Sequence, residues 1–386
     1  MARILIQNIG KIVSGKIASP FCSGDAILVD QGLIAKIGTK DSLSLEKVDQ
    51  RVDAQGTVLI PGLIDSHAHP VLGDYTPRQK MVDFIDSYLH GGITTMISAG
   101  ESHVPGKASD ATMVKALAIL CAKSFANNRP SGVKVHGGSL ILEPGLTEKD
   151  FEEMARAGVK VVGEIGLGKI KEPEEARPMV EWAKKYGMTV MIHCGGSSVP
   201  GSATMGVDKI IQINPHIVSH VNGGPTAIPI ADVEQLIKKT SFALEIVQCG
   251  NPRVAVDAIK MAMAAGALDR FIIGNDAPSG TGVIPLGVLR TLGLLCSFTD
   301  LKPEVAIGLA TGNTAKIHGL KEGVAEEGRP ADLVIMDAPM GSVGQDALEA
   351  IKVGDIPGIT MVMIDGEIRV RKSRNTPQPH RECIYQ

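Results

Sequence analysis

An alternation in the middle of the chain constrains its fold more than any other feature. Short apolar runs recur at 63–66, 93–98, 133–135, 159–164, 189–192, 217–219, 242–247 and 271–274, and helical patterns lie between them. That is about eight strand-like runs at a spacing of roughly 25–40 residues, which leaves room for the crossover that parallel pairing needs. Ala176, Met179, Val180, Ala183 and Gly187 share one helical face behind an acidic opening at Pro173-Glu174-Glu175, and segments 231–239 and 253–265 behave similarly. Parallel strands in this number, each followed by a helix, favour a closed (β/α)8 TIM barrel over an open sheet.

The two ends resemble each other and not the middle. Ile4-Leu5-Ile6, Ile27-Leu28-Val29 and 33–37 read as strands, the last two separated by Asp30-Gln31-Gly32, a hairpin-like signal. At the far end, 332–336 and Met361-Val362-Met363-Ile364 read as strands, and the second turns through Asp365-Gly366 into Ile368-Arg369-Val370, a two-residue hairpin signal. Short β segments at both termini bury their apolar faces by pairing with each other. The expected organisation is a small β-sandwich made by residues 1–60 and 326–386, with the barrel at 61–325.

Charge and composition narrow the function. A net charge of −3 gives no attraction to nucleic acid or an anionic membrane, and 3% aromatic residues supply no base-stacking platform. Arg369, Arg371, Lys372 and Arg374 read as solvated surface. The six cysteines (22, 121, 194, 249, 296, 383) form no Cys-x-x-Cys pair, which fits free thiols in a reducing compartment. Nothing near Met1 resembles a signal peptide, and no run approaches the ~20 apolar residues of a spanning helix. The expected location is the cytoplasm.

Barrels of this type carry their chemistry at the C-terminal ends of the strands. The first run ends in Asp65-Ser66-His67-Ala68-His69, and in an extended segment positions i and i+2 share a face, so His67 and His69 both reach the mouth. By itself such a pair fits a surface turn as well as a metal site. Further strand ends supply Glu164, His193, His220 and Asp276. Each follows a run that should be buried, where an unpaired charge costs several kcal/mol. One such residue alone reads best as a satisfied core group; five strand ends converging with His, Glu and Asp point to a metal site.

The stretch from Val58 through Pro61-Gly62-Leu63-Ile64-Asp65-Ser66-His67-Ala68-His69 resembles the signature that opens the barrel of the amidohydrolase superfamily. Glu327-Gly328-Arg329-Pro330-Ala331-Asp332 resembles the segment returning the chain to that superfamily's β-sandwich, and Thr311-Gly312-Asn313-Thr314-Ala315 its final barrel helix. The resemblance covers essentially the whole chain. It implies a binuclear centre of two divalent ions, Zn and/or Fe with Mn also suited, the first held by His67, His69 and Asp276 and the second by His193 and His220. A lysine carbamate commonly bridges such a pair, but Val162-Gly163-Glu164-Ile165 puts a glutamate there, so Glu164 is the expected bridge, with Lys160 and Lys134 as fallbacks.

The activity implied is hydrolysis of a cyclic amide, a lactam or enamide, by a water whose pKa the ions lower towards about 7. Asp276 is the expected catalytic base. Likeness within the superfamily points to a carboxylated substrate, for which His103, His136, Lys169, Asn222 with its Gly223-Gly224 neighbours, and Arg253 are candidate contacts. Cys194 is assigned to packing, and a homo-oligomer, a tetramer, is implied. Rival readings are a cyclic-amide hydrolase of the dihydroorotase, dihydropyrimidinase or imidazolonepropionase kind, a deaminase with one metal, and a non-catalytic binding relative. The filled ligand positions argue against the last two.

Overall fold

The apolar runs become eight parallel strands: β1 (Leu63–Ala68), β2 (Ile93–Ser98), β3 (Lys134–His136), β4 (Val161–Ile165), β5 (Thr189–Ile192), β6 (Ile217–Val218), β7 (Ala243–Val247) and β8 (Phe271–Gly274). This is a computed structural model that describes residues 2–70, 81–100, 106, 109–197, 202–223, 227–278 and 282–386. Hydrogen bonding groups the strands into two arcs, β1 to β3 and β4 to β8. Two parallel bridges join the arcs, Leu140 with Val162 and Ala68 with Ala277, and close the ring.

The interior is packed. Ile64, Ile97, Val161, Met191, Ile217, Ala243 and Ile272 meet in one layer inside the ring, and Ala315 of the helix Gly312–His318 packs on them. Alternate residues such as Val162, Val190, Val218, Leu244 and Ile273 face outward into the larger core shared with the helices. Cys194 belongs to that outer core, as alternation from Met191 and His193 requires. The helix Pro173–Lys185 buries Ala176, Met179, Val180 and Ala183, whereas Gly187 lies beyond its end at φ +73°.

Alternation from the inner layer fails in β1 and β4, as it does after Ile217 of β6, where His220 has φ +36°. Pairing shifts register between Asp65 and Ala68 in β1, and between Val162 and Ile165 in β4. Counting by twos from Ile64 or Val161 would turn His67 and Glu164 towards the helices. The irregularities turn both inward, the effect of such features beside functional sites.

Both ends of the chain build two further sheets. One runs in the order Ile384–Tyr385, Gln50–Asp53, Ile4–Gln7, Ala26–Asp30, Leu33–Gly38. The other runs Glu367–Val370, Gly358–Ile364, Leu333–Asp337, Val58–Pro61, Lys11–Val13, Phe21–Cys22. Ile4, Ile6, Ile27, Val29, Leu59, Leu333, Ile335, Met361 and Met363 form the core between them. The two hairpins expected from the sequence turn at Gln31-Gly32 (φ +49°, +82°) and Asp365-Gly366 (φ +48°, +74°). Positive φ at both central residues is what the right-handed strand twist demands of a two-residue turn. Among the described residues no helix is long and apolar enough to cross a membrane.

Candidate metal centre

Six buried side chains from five strand ends converge in two groups, His67 with His69 and Asp276, and Glu164 with His193 and His220. In each group one ligand atom from every member lies within 4.8 Å of the others. In the first, His69 Nδ1 donates to the carbonyl of Gly100 at 2.8 Å and His67 Nδ1 lies 2.6 Å from Glu245 Oε2. These contacts leave both Nε2 atoms to Asp276 Oδ1, at 3.2 Å from His69 and 3.5 Å from His67.

In the second group His193 Nε2 donates to the Gly196 carbonyl at 2.8 Å, so its Nδ1 presents a lone pair. That atom faces His220 Nε2 at 3.2 Å and Glu164 Oε1 at 4.0 Å, while His220 Nε2 and Glu164 Oε1 are 2.6 Å apart. Glu164 Oε2 reaches across to 3.5 Å from His67 Nε2. One carboxylate therefore offers an oxygen to each group, the geometry of a bridge.

The backbone is bent to achieve this. His220 and Asp276 have φ of +36° and +53°, a region that non-glycine residues rarely occupy and that clusters at functional sites. Close approach matters as well: a Cβ on Gly274 would come within 2.7 Å of His67 Cβ and 2.8 Å of its amide nitrogen.

Carboxylates and imidazoles in the cluster shift one another's pKa values in opposite directions. Burial works against a charged His67, yet Glu245, Glu164 and Asp276 together hold its pKa well above the ordinary value. Burial opposes protonation of His220 too, and Glu164 overcomes it. Burial would raise Glu164, but His220 and His67 hold it well below the carboxylate range; Asp276 is lowered against burial by His67, His69 and His220. His193 is lowered by burial and by His220. Divalent cations would replace protons on these imidazoles. His67 Nε2 is buried without a hydrogen-bond partner among the described residues, so a cation taking the place of its proton would meet a lone pair that no other group of the polypeptide claims. The donor set fits transition-metal dications.

Sequence reasoning overlooked the surrounding layer. Glu245, in the middle of β7 and fully buried, accepts from Ser66 Oγ at 2.5 Å as well as meeting His67. Asp65 Oδ1 accepts from the amides of His67 (3.2 Å) and Asn275 (2.9 Å), and its Oδ2 from Asn275 Nδ2 (2.7 Å). Burial pushes Asp65 up to about 6 against those bonds. Cys249 Sγ donates to Asp276 Oδ2 at 3.1 Å. A carboxylate inside the run Ala243-Leu244-Glu245-Ile246-Val247 was a legible signal, because a charge in a buried strand needs a partner.

The other residues singled out by sequence fall in different places. His136 points into the inner apolar layer beside Ile97, and burial, then Lys160, lowers it to about 4; it does not join either ligand group. Asn222 is buried and spends both ends of its amide on the backbone of Val247, a tie between the loop after β6 and β7. Lys169 is exposed, donates to the Ser109 carbonyl and lies 3.9 Å from Glu143. Arg253 is exposed in the first turn of the helix Pro252–Ala265. His103 and Gly224 lie outside the described residues. Neither fallback lysine can bridge the two groups: Lys160 is exposed just before β4, and Lys134, at the start of β3, is bound by Glu322, Asp332 and Asp365.

Residues 58–369 match the model of the amidohydrolase family. The chain belongs to that family. Among curated amidohydrolase relatives it is 55% identical to the enamidase of Eubacterium barkeri over 381 residues, 99% of each chain. It is 34% identical to the imidazolonepropionase of Salinispora tropica over 394 residues, 88% of this chain and 93% of the relative. The fold superposes on the crystal structure of enamidase with a TM-score of 0.97 at 54% identity, each chain fully covered. A β-aspartyl dipeptidase from Fervidobacterium islandicum shares the fold, with a TM-score of 0.69 at 19% identity over 98% of this chain and 99% of that one. An amidohydrolase acting on a small-molecule amide with divalent metal is the coarse reading all of this supports.

Proposed function

We propose that this amidohydrolase opens a cyclic enamide, 6-oxo-tetrahydronicotinate, to give 2-formylglutarate and ammonia. The observation that carries the reading is full-length likeness to enamidase combined with two ligand groups that share Glu164. His67, His69 and Asp276 would hold one ion and Glu164, His193 and His220 a second, with the free Glu164 oxygen available to the first; Zn or Fe suits the set, and Mn is accepted by it. When bound, the ions supply a water of lowered pKa and polarise the substrate carbonyl.

The protein's own groups do the rest. Asp276 Oδ1 faces the histidines, so Oδ2 is the atom that takes the proton of the attacking water and returns it to the ring nitrogen. Oxygen bonds to the carbonyl carbon, the C–N bond breaks, and the nitrogen leaves as an enamine; its tautomer takes up a second water and releases ammonia, leaving an aldehyde. Burial of all six ligands excludes bulk water from the charges that Asp276 and Glu164 hold. Lys169 and Arg253 are proposed contacts for a substrate carboxylate, with His103. We further propose a cytoplasmic homotetramer in which residues 1–60 and 326–386 form one unit and 61–325 the catalytic barrel.

Elemental mass spectrometry of protein purified without chelator, followed by assay on a panel of lactams, tests the reading. About two transition-metal ions per chain are expected, with ammonia and an aldehyde released from the nicotinate-derived lactam. The likeness to imidazolonepropionase favours a second reading, so the panel includes 4-imidazolone-5-propionate. Preference for that compound would replace the substrate assignment. About one ion per chain would support the deaminase reading, and none, with none taken up, would remove the hydrolytic one.

A further inference from the structure

We infer that the two ligand groups are unequal and that Glu245 makes them so: His67, His69 and Asp276 hold their cation more tightly than Glu164, His193 and His220 hold theirs. This rests on the metal-pair reading above. Glu245 is fully buried inside the barrel, with Oε2 at 2.6 Å from His67 Nδ1 and Oε1 accepting from Ser66 Oγ at 2.5 Å. Both oxygens are thus spent on consecutive residues of β1. A desolvated carboxylate in such a place costs several kcal/mol unless positive charge lies within reach. The His67 ring carries that charge to its far side, where Nε2 is buried without a hydrogen-bond partner among the described residues and a cation would take the proton's place. An imidazole that donates Nδ1–H to a carboxylate is oriented by it and becomes a stronger donor at Nε2.

The second group lacks this support. His193 is backed by a neutral carbonyl, that of Gly196, at 2.8 Å, and His220 Nδ1 is buried with no hydrogen-bond partner among the described residues. Asp276, and Glu245 through His67, give the first group two carboxylate charges of its own. The second group has Glu164, whose other oxygen faces His67 at 3.5 Å. Glu245 spends its oxygens on Ser66 and His67 and acts through the His67 ring, so it is a positioning residue, and its effect is read in metal retention.

Protein loaded with Co(II) and dialysed against a chelator, with metal per chain followed over time, provides the test. Wild type is expected to lose its ions in two phases of one per chain. Glu245→Gln is expected to speed the slow phase about 10–100-fold and leave the fast phase unchanged, and His193→Ala to show the slow phase alone. Anomalous diffraction from wild-type crystals stripped to one ion is expected to find it at His67, His69 and Asp276, a measurement that needs no variant to fold. Loss of both ions in one phase, a surviving ion at His193 and His220, or an unchanged slow phase in folded Glu245→Gln would overturn the inference and leave the metal pair standing. Failure to bind any Co(II) would overturn the metal pair itself.

Discussion

At Asp276 the two carboxylate oxygens face different partners. Oδ1 lies 3.2 Å from His69 Nε2 and 3.5 Å from His67 Nε2, and Oδ2 takes the Cys249 thiol at 3.1 Å. The histidines keep the group ionised despite burial, with its pKa below the ordinary carboxylate value, as a proton acceptor at neutral pH requires. Asp276→Ala is expected to lower kcat by at least about 10³-fold, while most of the metal stays on the remaining ligands in metal-supplemented buffer. Normal turnover in that variant would end the assignment. The residues that the fold groups were legible as types at strand ends: His67 and His69 as a pair, and His193, His220, Glu164 and Asp276 each after an apolar run. Glu245 stood out only as a charge in a buried strand; its partner, His67, lies 178 residues away, and that of Cys249, Asp276, lies 27 residues away, so neither role follows from local pattern.

At the scale of the element, β1 and β4 carry the departures from regular pairing that turn His67 and Glu164 into the barrel. Strand β8 must pass close behind β1 for Asp276 to reach the same point, and Gly274 permits it. Gly274→Ala would set a Cβ at 2.7 Å from His67 Cβ, so β1 or β8 must move. We expect a loss of about 1–3 kcal/mol in stability and a fall in metal per chain, read by denaturant melts and elemental analysis. Retention of two ions with unchanged affinity would show that His67 does not depend on that approach. The hairpins were legible in full, since Gln31-Gly32 and Asp365-Gly366 need nothing beyond their own backbone.

Across the whole molecule, barrel and sandwich are tied by a half-buried cation. Lys134 at the start of β3 reaches Glu322 at 2.9 Å and both Asp332 and Asp365 at 2.8 Å; Arg129 adds a contact to Asp365 at 2.8 Å. Asp332 and Asp365 flank strands of the sandwich, so the network spans its junction with the barrel. Burial opposes the charge on Lys134, yet the carboxylates raise its pKa; in return it lowers Glu322 and Asp365, against burial, while burial leaves Asp332 raised. Lys134→Met would leave buried Asp332 and half-buried Glu322 without their cation, while Asp365 keeps Arg129, at a cost of up to about 3 kcal/mol at neutral pH. The sign follows from linkage: without the cation their folded pKa values rise above the unfolded ones, so the penalty is full at neutral pH and shrinks as falling pH protonates them. Unfolding measured at pH 7.5 and pH 5 should show a smaller gap between variant and wild type at the lower pH. A gap that widens would contradict this account.

Local periodicity in the sequence determined the alternation of strands and helices, the terminal hairpins and the residue types at the strand ends, since a strand or turn draws its pattern from neighbours a few positions away. Tertiary structure decided which of those side chains meet. Closing the ring brought Ala68 beside Ala277 and Leu140 beside Val162; that closure put Glu245 behind His67, sent Lys134 to the sandwich and left His136 below the mouth. Those outcomes depend on distances between residues far apart in the chain, which arise when the barrel is packed and its buried charges find partners.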